Sequence, residues 1–256
     1  MDISPDKQNI DTLFASTTYY IDFYQREYKW NKEPVERLLD DIFFKFNLEY
    51  TAKEKDDLTP SKETVTAYYP WYYLNTYVTN VIDGKVFVVD GQQRLTTLTI
   101  ILIKLYHLCK TMNSDSKDWI ERKIVGYSGP QKEFWMHHVR HIKTLEELLK
   151  SDEDLKKIPT STGITAENIV SNYTIISKWL DENLSSKHKL ETFIFYYLYR
   201  LVLINLTVEQ TNVPMVFEVI NDRGVKLKPY EILKGKLLGL IDKIDLDKLA
   251  LNEIVG

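Results

Sequence analysis

The segment Asp90-Gly91-Gln92-Gln93-Arg94 combines residue types that can bind polyphosphate. It follows strand-forming residues and precedes a helical pattern. The first turn of a helix offers unpaired amides and the positive end of the dipole, and an arginine there adds a bidentate phosphate donor. Asp90 can hold a divalent metal or orient water. The spacing equally fits an ordinary helix start, in which Asp90 caps and Arg94 pairs with a surface carboxylate.

A second polar and aromatic group precedes this segment in the chain. It contains Tyr24, Gln25 and Arg26, followed by Tyr28 and Trp30. A glutamine and an arginine between aromatic rings can hold a planar base by stacking and edge hydrogen bonds, or can bind a phosphate. On residue types alone, an interface or a half-exposed patch explains the same group more simply.

A third candidate lies near the end of the chain. Asn221-Asp222-Arg223-Gly224 predicts a helix end and a glycine turn, and Lys234 follows on the next predicted helix. These groups can close around phosphates, although an ordinary helix-turn-helix accounts for them as well.

His137 and His141 are spaced one helical turn apart in a segment that we predict to be helical. That spacing occurs in metal sites, but the glutamate of an HExxH motif is absent, so a solvated histidine face is the simpler interpretation. The sequence also lacks a Walker phosphate loop, a GxGxxG turn and a nucleophile elbow, which excludes a conventional P-loop NTPase.

Composition limits the class of protein. With 256 residues, 44% of them hydrophobic, the chain can bury a large core. The single cysteine, Cys109, lies in an apolar helical pattern and cannot form an internal disulfide, which predicts a core role and a cytoplasmic location. No apolar run predicts a membrane span. The net charge of -4 argues against bulk electrostatic coating of nucleic acid, so any DNA contact must be local.

Hydrophobic spacing and turn residues predict the elements that position these groups. Residues 19–23 predict a short strand, and Asn31 and Pro34 predict the start of an amphipathic helix. The charged residues 51–64 predict a mobile surface loop. Asp83-Gly84 predicts a tight hairpin between strands over residues 72–82 and 85–90.

The later chain is predicted to be mainly helical. Leucines spaced three and four apart from Leu95 to Cys109 predict a helix directly after the hairpin. Further helices are predicted over residues 132–150, 166–184, 189–199, 212–220 and 229–243, with one strand over residues 200–208. The predicted fold class is therefore α+β and helix-rich, and the unfinished pattern at the end of the chain predicts a fragment of a longer protein.

Four segments together resemble the GmrSD-type restriction N-terminal domain family, which is related to the ParB-like fold. The segments are residues 21–30, residues 88–98 with the Asp-Gly-Gln-Gln-Arg motif, residues 217–224, and Leu227 with residues 229–234. They occur in the family's order and span most of the chain. The first segment departs from the family by carrying Asp22 where proline is common.

The resemblance implies a ParB-like strand-containing core over residues 1–110 and a helical portion over residues 111–256 that completes the same domain. It implies binding and hydrolysis of a nucleoside triphosphate, usually with a divalent metal (Mg²⁺) at Asp90, and the implied catalytic residues are Asp90, Gln93 and Arg94. The residues implied to bind the cofactor are Tyr24, Gln25, Arg26, Gly91, Gln92, Thr96, Thr97, Asn221, Arg223 and Lys234. The implied partners are DNA, in a modified form, an HNH-type nuclease domain or subunit absent from this chain, and further copies of the chain.

Three functions therefore stay open. The leading hypothesis is a triphosphate-hydrolysing regulatory domain of a modification-dependent restriction or anti-phage protein. The second keeps the pocket without turnover, as a regulatory module that binds nucleotide or modified DNA. The third makes the chain itself a metal-dependent nuclease, although no carboxylate or histidine cluster for two-metal cleavage stands out.

Overall fold

The computed structural model describes residues 4–21, 27–53, 58–128, 131–151 and 155–213. Helices and strands alternate through these ranges, which confirms the predicted α+β, helix-rich class. In chain order the elements are β1 Ser4–Asn9, α1 Ile10–Leu13, β2 Tyr19–Ile21, α2 Lys32–Lys53, α3 Lys62–Tyr68, β3 Tyr72–Ile82, β4 Lys85–Asp90, α4 Gln92–Thr111, α5 Lys117–Ile124, β5 Val125–Ser128, β6 Gln131–Phe134, β7 Met136–His138, α6 Ile142–Lys150, α7 Ile164–Asn183, α8 Lys187–Arg200 and β8 Leu201–Thr207.

A mixed sheet runs in the order β1-β8-β3-β4-β2-β7. β1 is antiparallel to β8 and β3 is antiparallel to β4, whereas the other neighbours pair in parallel. The predicted hairpin is confirmed, with Asp83 and Gly84 at φ +48° and +76°. β4 lies between β3 and β2, so its last residue, Asp90, is delivered to the end of an interior strand.

α4 forms the centre of the hydrophobic core. Its leucine face is fully buried from Leu95 to Leu105, as the spacing predicts. Each such side chain stabilises the fold by roughly 1.5–3 kcal/mol. Burial also raises the pKa of the Cys109 thiol to about 12, which fits its predicted core role. The helix is therefore a firm base for the residues at its first turn.

One predicted helix is wrong. Residues 132–150 form β6, β7 and only then α6. Phe134, Met136 and His138 are buried while the residues between them are more exposed, so the period in this segment is two, as in a strand. β7 pairs with β2. His137 consequently lies in a strand and His141 caps α6, so they do not share a helical face.

The predicted loop over residues 51–64 is partly wrong. α2 continues to Lys53, and α3 begins at Lys62 because the Ser61 hydroxyl accepts a hydrogen bond from the Thr64 amide (3.1 Å) and Val65 is buried. The later predictions over residues 166–184, 189–199 and 200–208 are confirmed as α7, α8 and β8. Of the predicted helix over residues 212–220 only Asn212 and Val213 are described, at the end of a short 3-10 turn, and the predicted helix over residues 229–243 lies outside the described residues.

Candidate functional site

The junction between β4 and α4 is a corner that only glycine fits. Gly91 has φ +97°, in the left-handed region. A Cβ at Gly91 would lie 2.6 Å from the Tyr77 Cβ in β3, well inside van der Waals contact. The chain therefore turns directly against the neighbouring strand, and α4 begins immediately at Gln92.

Gly91→Ala should lower the free energy of unfolding by at least about 2 kcal/mol, because backbone strain and steric overlap act together. Gly84 is a matched control, since its φ is +76° but a Cβ there meets nothing within 4 Å. Gly84→Ala should therefore cost only about 1 kcal/mol. Urea unfolding measures both values. Equal losses in the two variants would show that contact with Tyr77 has no effect.

Asp90 and Arg94 stand on the two sides of this corner, and both are half-buried. Within the described ranges, no hydrogen bond or ion pair joins either side chain to another residue. Burial lowers the pKa of the Arg94 guanidinium, and the negative charge of Asp90 acts in the opposite direction. A partly desolvated cation whose donors make no hydrogen bond or ion pair attracts anions more strongly than a solvated one.

The start of α4 carries no capping side chain. Its hydrogen-bond ladder begins with the Leu95 amide, which donates to the Gly91 carbonyl (3.0 Å). The amides ahead of Leu95 lie outside that ladder, at the positive end of the helix dipole. They and Arg94 therefore share one small region of positive potential.

Gln93 is buried, and its amide contacts the backbone of residues 27–30. Its Oε1 accepts hydrogen bonds from the amides of Lys29 (2.8 Å) and Trp30 (3.0 Å), and its Nε2 donates to the Glu27 carbonyl (2.8 Å). These are the contacts of a positioning residue. The catalytic role of Gln93 stays a prediction, as does cofactor binding by Gln92, which is also buried.

Thr96 and Thr97 point into the interior behind the corner, and both are buried. The Thr97 hydroxyl lies 2.8 Å from the Tyr28 hydroxyl and donates to the Gln93 carbonyl (2.9 Å). The Thr96 hydroxyl lies 2.9 Å from Nε2 of His138. Both hydroxyls are engaged within the protein, and their role in cofactor binding stays a prediction.

Acidification should destabilise the fold through His138. Burial lowers the pKa of this ring to about 3, below the 6.5 of an ordinary histidine. Below about pH 6.5 this ring therefore binds a proton in the unfolded chain but not in the folded chain. The free energy of unfolding is highest above that pH and decreases as the pH falls. From pH 7 to 5 this ring should cost about 2 kcal/mol.

Urea unfolding at the two pH values measures this loss. His138→Gln has no titrating ring, so it should flatten the dependence of the unfolding free energy on pH. Its amide can still bond to Thr96, which preserves the contact that the ring makes. An unchanged slope in this variant would assign the acid sensitivity to other groups.

Sequence reasoning missed a further charged and polar group that interacts with Arg94 through Tyr72. Its members are Arg37, Asp41 and Tyr72. The Tyr72 hydroxyl donates to Oδ2 of Asp41 (3.2 Å). Burial and then the Asp41 carboxylate raise the pKa of Tyr72, whereas the charges of Arg94 and Arg37 lower it. α2 thus supplies a cation and a carboxylate that act on Tyr72, as Arg94 also does. In the sequence, these residues look like any solvated helix face.

An open groove of about 490 Å³ lies at the start of α2. It is lined by the first turns of α2 and the residue before them: Asn31, Lys32, Glu33, Glu36, Arg37 and Asp40. The volume lies within the range of small-molecule sites. Arg37 lines this groove, and its charge lowers the pKa of Tyr72, as that of Arg94 does.

A family model described as GmrSD restriction endonuclease, N-terminal domain, matches residues 9–238. The chain belongs to this family. The match includes the corner at Gly91 and the segment that Gln93 holds. A comparison with curated proteins found no match. The GmrSD N-terminal domain is a part of a restriction endonuclease, so this chain is a domain of a DNA-restriction and defence protein. No helix of the described ranges is long and apolar enough to cross a bilayer.

Six residues predicted to bind the cofactor in this GmrSD domain lie outside the described residues. They are Tyr24, Gln25, Arg26, Asn221, Arg223 and Lys234. The described flanks of the first group are near the corner, since β2 pairs with β4 up to Tyr20 and the Glu27 carbonyl bonds to Gln93. Because separated groups act together only when they converge, we predict that the three groups share one cleft.

The described residues of the GmrSD domain fit a divalent metal that binds together with a phosphate ligand. Among the described residues, no group of three or more His, Cys, Asp or Glu is arranged to hold a metal ion. Asp90 offers one half-buried carboxylate without a described partner. Mg²⁺ at phosphate sites commonly takes one or two carboxylates, with phosphate oxygens and water completing its shell. A metal brought in with a triphosphate therefore fits better than a preformed protein cage.

Proposed function

We propose that this GmrSD domain binds and hydrolyses a nucleoside triphosphate at the corner between β4 and α4. The observation that carries the proposal is Arg94, a half-buried guanidinium at a helix start whose side chain makes no hydrogen bond or ion pair with the described residues. Leaving such a cation unpaired costs folding free energy, and perturbed charges of this kind concentrate at functional sites. A polyphosphate supplies the missing negative charge.

Binding follows from the groups around the corner. Arg94 donates two parallel hydrogen bonds to a phosphate, and the amides of Gln93 and Arg94 donate to a neighbouring one. Arg37 adds a second positive charge from α2. The groove at the start of α2 has room for the nucleoside beyond the phosphates.

Hydrolysis requires that charge on the transferred phosphoryl group be stabilised while water attacks in line. In this proposal Arg94 stabilises that charge, and Asp90 orients the water or would hold the metal. A bound Mg²⁺ would neutralise oxygens of the terminal phosphates. Gln93 keeps residues 27–30 against the first turn of α4, which keeps this arrangement in place.

The family suggests DNA and a nuclease domain as partners. We propose that triphosphate turnover regulates an HNH-type nuclease domain or subunit, and that modified DNA sets the rate. A cytoplasmic location and assembly into a homo-oligomer belong to the same proposal.

Phosphate release from GTP, CTP and ATP with Mg²⁺, with and without modified DNA, tests the proposal. We expect release from at least one nucleotide and a change in rate with DNA. Calorimetric binding without release would instead favour a non-hydrolysing regulatory module. The engagement of the Gln93 amide with residues 27–30 favours that second candidate, because it leaves one fewer polar group for the attacking water. Absence of both binding and release would overturn both functions.

A further inference from the structure

Residues 27–30 are held through their backbone by side chains of α4 and α7. The Tyr28 amide donates to the Thr165 hydroxyl (3.0 Å), Asn168 donates to the Tyr28 carbonyl (2.7 Å) and Asn172 donates to the Trp30 carbonyl (2.7 Å). With the three bonds of Gln93, the amides of residues 28–30 and the carbonyls of Glu27, Tyr28 and Trp30 are all paired. We call the side chains of Gln93, Thr165, Asn168 and Asn172 the 27–30 clamp.

A buried chain of hydroxyls connects the two helices of the clamp. Asn172 Nδ2 also donates to the Tyr28 hydroxyl (2.9 Å), which lies 2.8 Å from the Thr97 hydroxyl. Thr97 donates in turn to the Gln93 carbonyl. Asn172 and Tyr28 are 1% and 2% exposed, so water does not compete for these bonds. The position of α7 is thereby linked to the first turn of α4.

The clamp acts on the site through the start of α2. The chain passes from Trp30 into α2 at Lys32, and α2 carries Asp41, which bonds to Tyr72, and Arg37, whose charge acts on Tyr72 as that of Arg94 does. The bonds that hold Trp30 to Gln93 and Asn172 therefore restrict the separation between the start of α2 and the first turn of α4. Sites that bind ligand on two elements lose affinity when that separation is free to vary.

We propose that Asn172 is a positioning residue for this site. It holds the Trp30 carbonyl and the Tyr28 hydroxyl at once, and so sets the separation between α2 and the first turn of α4. The substrate in this proposal rests on the proposed function, whereas the clamp itself rests on the hydrogen bonds alone.

Asn172→Ala, with Ser171→Ala as a matched control on the exposed side of α7, tests the proposal in the full chain. The first measurement is amide hydrogen exchange of residues 28–30 without nucleotide. We expect at least ten-fold faster exchange in Asn172→Ala and no change in Ser171→Ala. Arg94→Ala should also leave this exchange unchanged, because Arg94 is not in the clamp.

The second measurement is the split between KM and kcat for the triphosphate that the wild type hydrolyses best. Saturating nucleotide restores the separation between α2 and the first turn of α4. Asn172→Ala should therefore raise KM about ten-fold while kcat changes less than three-fold. Saturating nucleotide should also slow the exchange of residues 28–30 again. A purely structural role would instead lower kcat at constant KM, as the active fraction falls.

Unchanged exchange or an unchanged KM in Asn172→Ala would overturn the proposal. If the wild type neither binds nor hydrolyses any triphosphate, the proposed function fails, and with it the positioning role, whereas the exchange data still report whether the clamp exists. Should Asn172→Ala not fold, Asn168→Ala is the second variant. It removes one bond from a half-buried position, and a smaller rise of KM in the same direction is then required.

Discussion

Arg94→Ala should reduce triphosphate turnover roughly a thousand-fold or more, the size of effect seen when an arginine that neutralises a transferred phosphoryl group is removed. The same change should leave the free energy of unfolding unchanged or slightly higher. The reason is that Arg94 is partly desolvated and makes no hydrogen bond or ion pair with the described residues, and that desolvation outweighs the charge of Asp90, so the fold gains little from its charge. Phosphate release and urea unfolding of one preparation measure both quantities.

Two variants sharpen this prediction. Arg94→Lys keeps the charge but loses the planar pair of donors, so its turnover should lie between those of wild type and alanine. Arg122→Ala removes an exposed arginine of α5 and should leave turnover unchanged. Full turnover in Arg94→Ala would remove Arg94 from the mechanism. A large loss of stability would show that this side chain serves the fold instead.

Asp90→Asn should separate nucleotide binding from turnover. The carboxylate repels phosphates when no metal is present, so its loss should tighten binding of the metal-free triphosphate by several-fold. The same loss removes the group proposed to orient water or hold Mg²⁺, so turnover with Mg²⁺ should fall about a hundred-fold or more. Calorimetry with and without EDTA, followed by phosphate release, distinguishes the two effects.

Asp115→Asn provides the matched control, because Asp115 is exposed in the turn before α5. It should change neither metal-free binding nor turnover. Weaker metal-free binding in Asp90→Asn would show that Asp90 orients Arg94 and does not face the phosphates.

Local signals in the sequence were sufficient for the corner itself. Asp83-Gly84 fixes the hairpin turn, and the leucine spacing from Leu95 fixes α4, so the position of Gly91 between them follows from neighbouring residues. The same holds for α7 and α8, whose apolar stripes are long. In each case the information lies within one or two turns of chain.

Pairing between distant segments could not be predicted in this way. β7 is only three residues long, and it is a strand because β2 pairs with it. Asn172 looks like any polar residue of an amphipathic helix until α7 meets residues 27–30. Arg37 and Asp41 acquire meaning only when Tyr72 lies beside them. Each depends on a contact that tertiary folding makes.

The place of β8 between β1 and β3 also governs how the chain can be made. Thr79 in β3 pairs with Thr207 in β8. At about 5–20 residues per second, a ribosome needs roughly 6–25 s to reach Thr207 after Thr79. Throughout that time the nascent β3 has one edge without a neighbour, and such edges template aggregation. Production of this protein should therefore depend on chaperone capacity during translation.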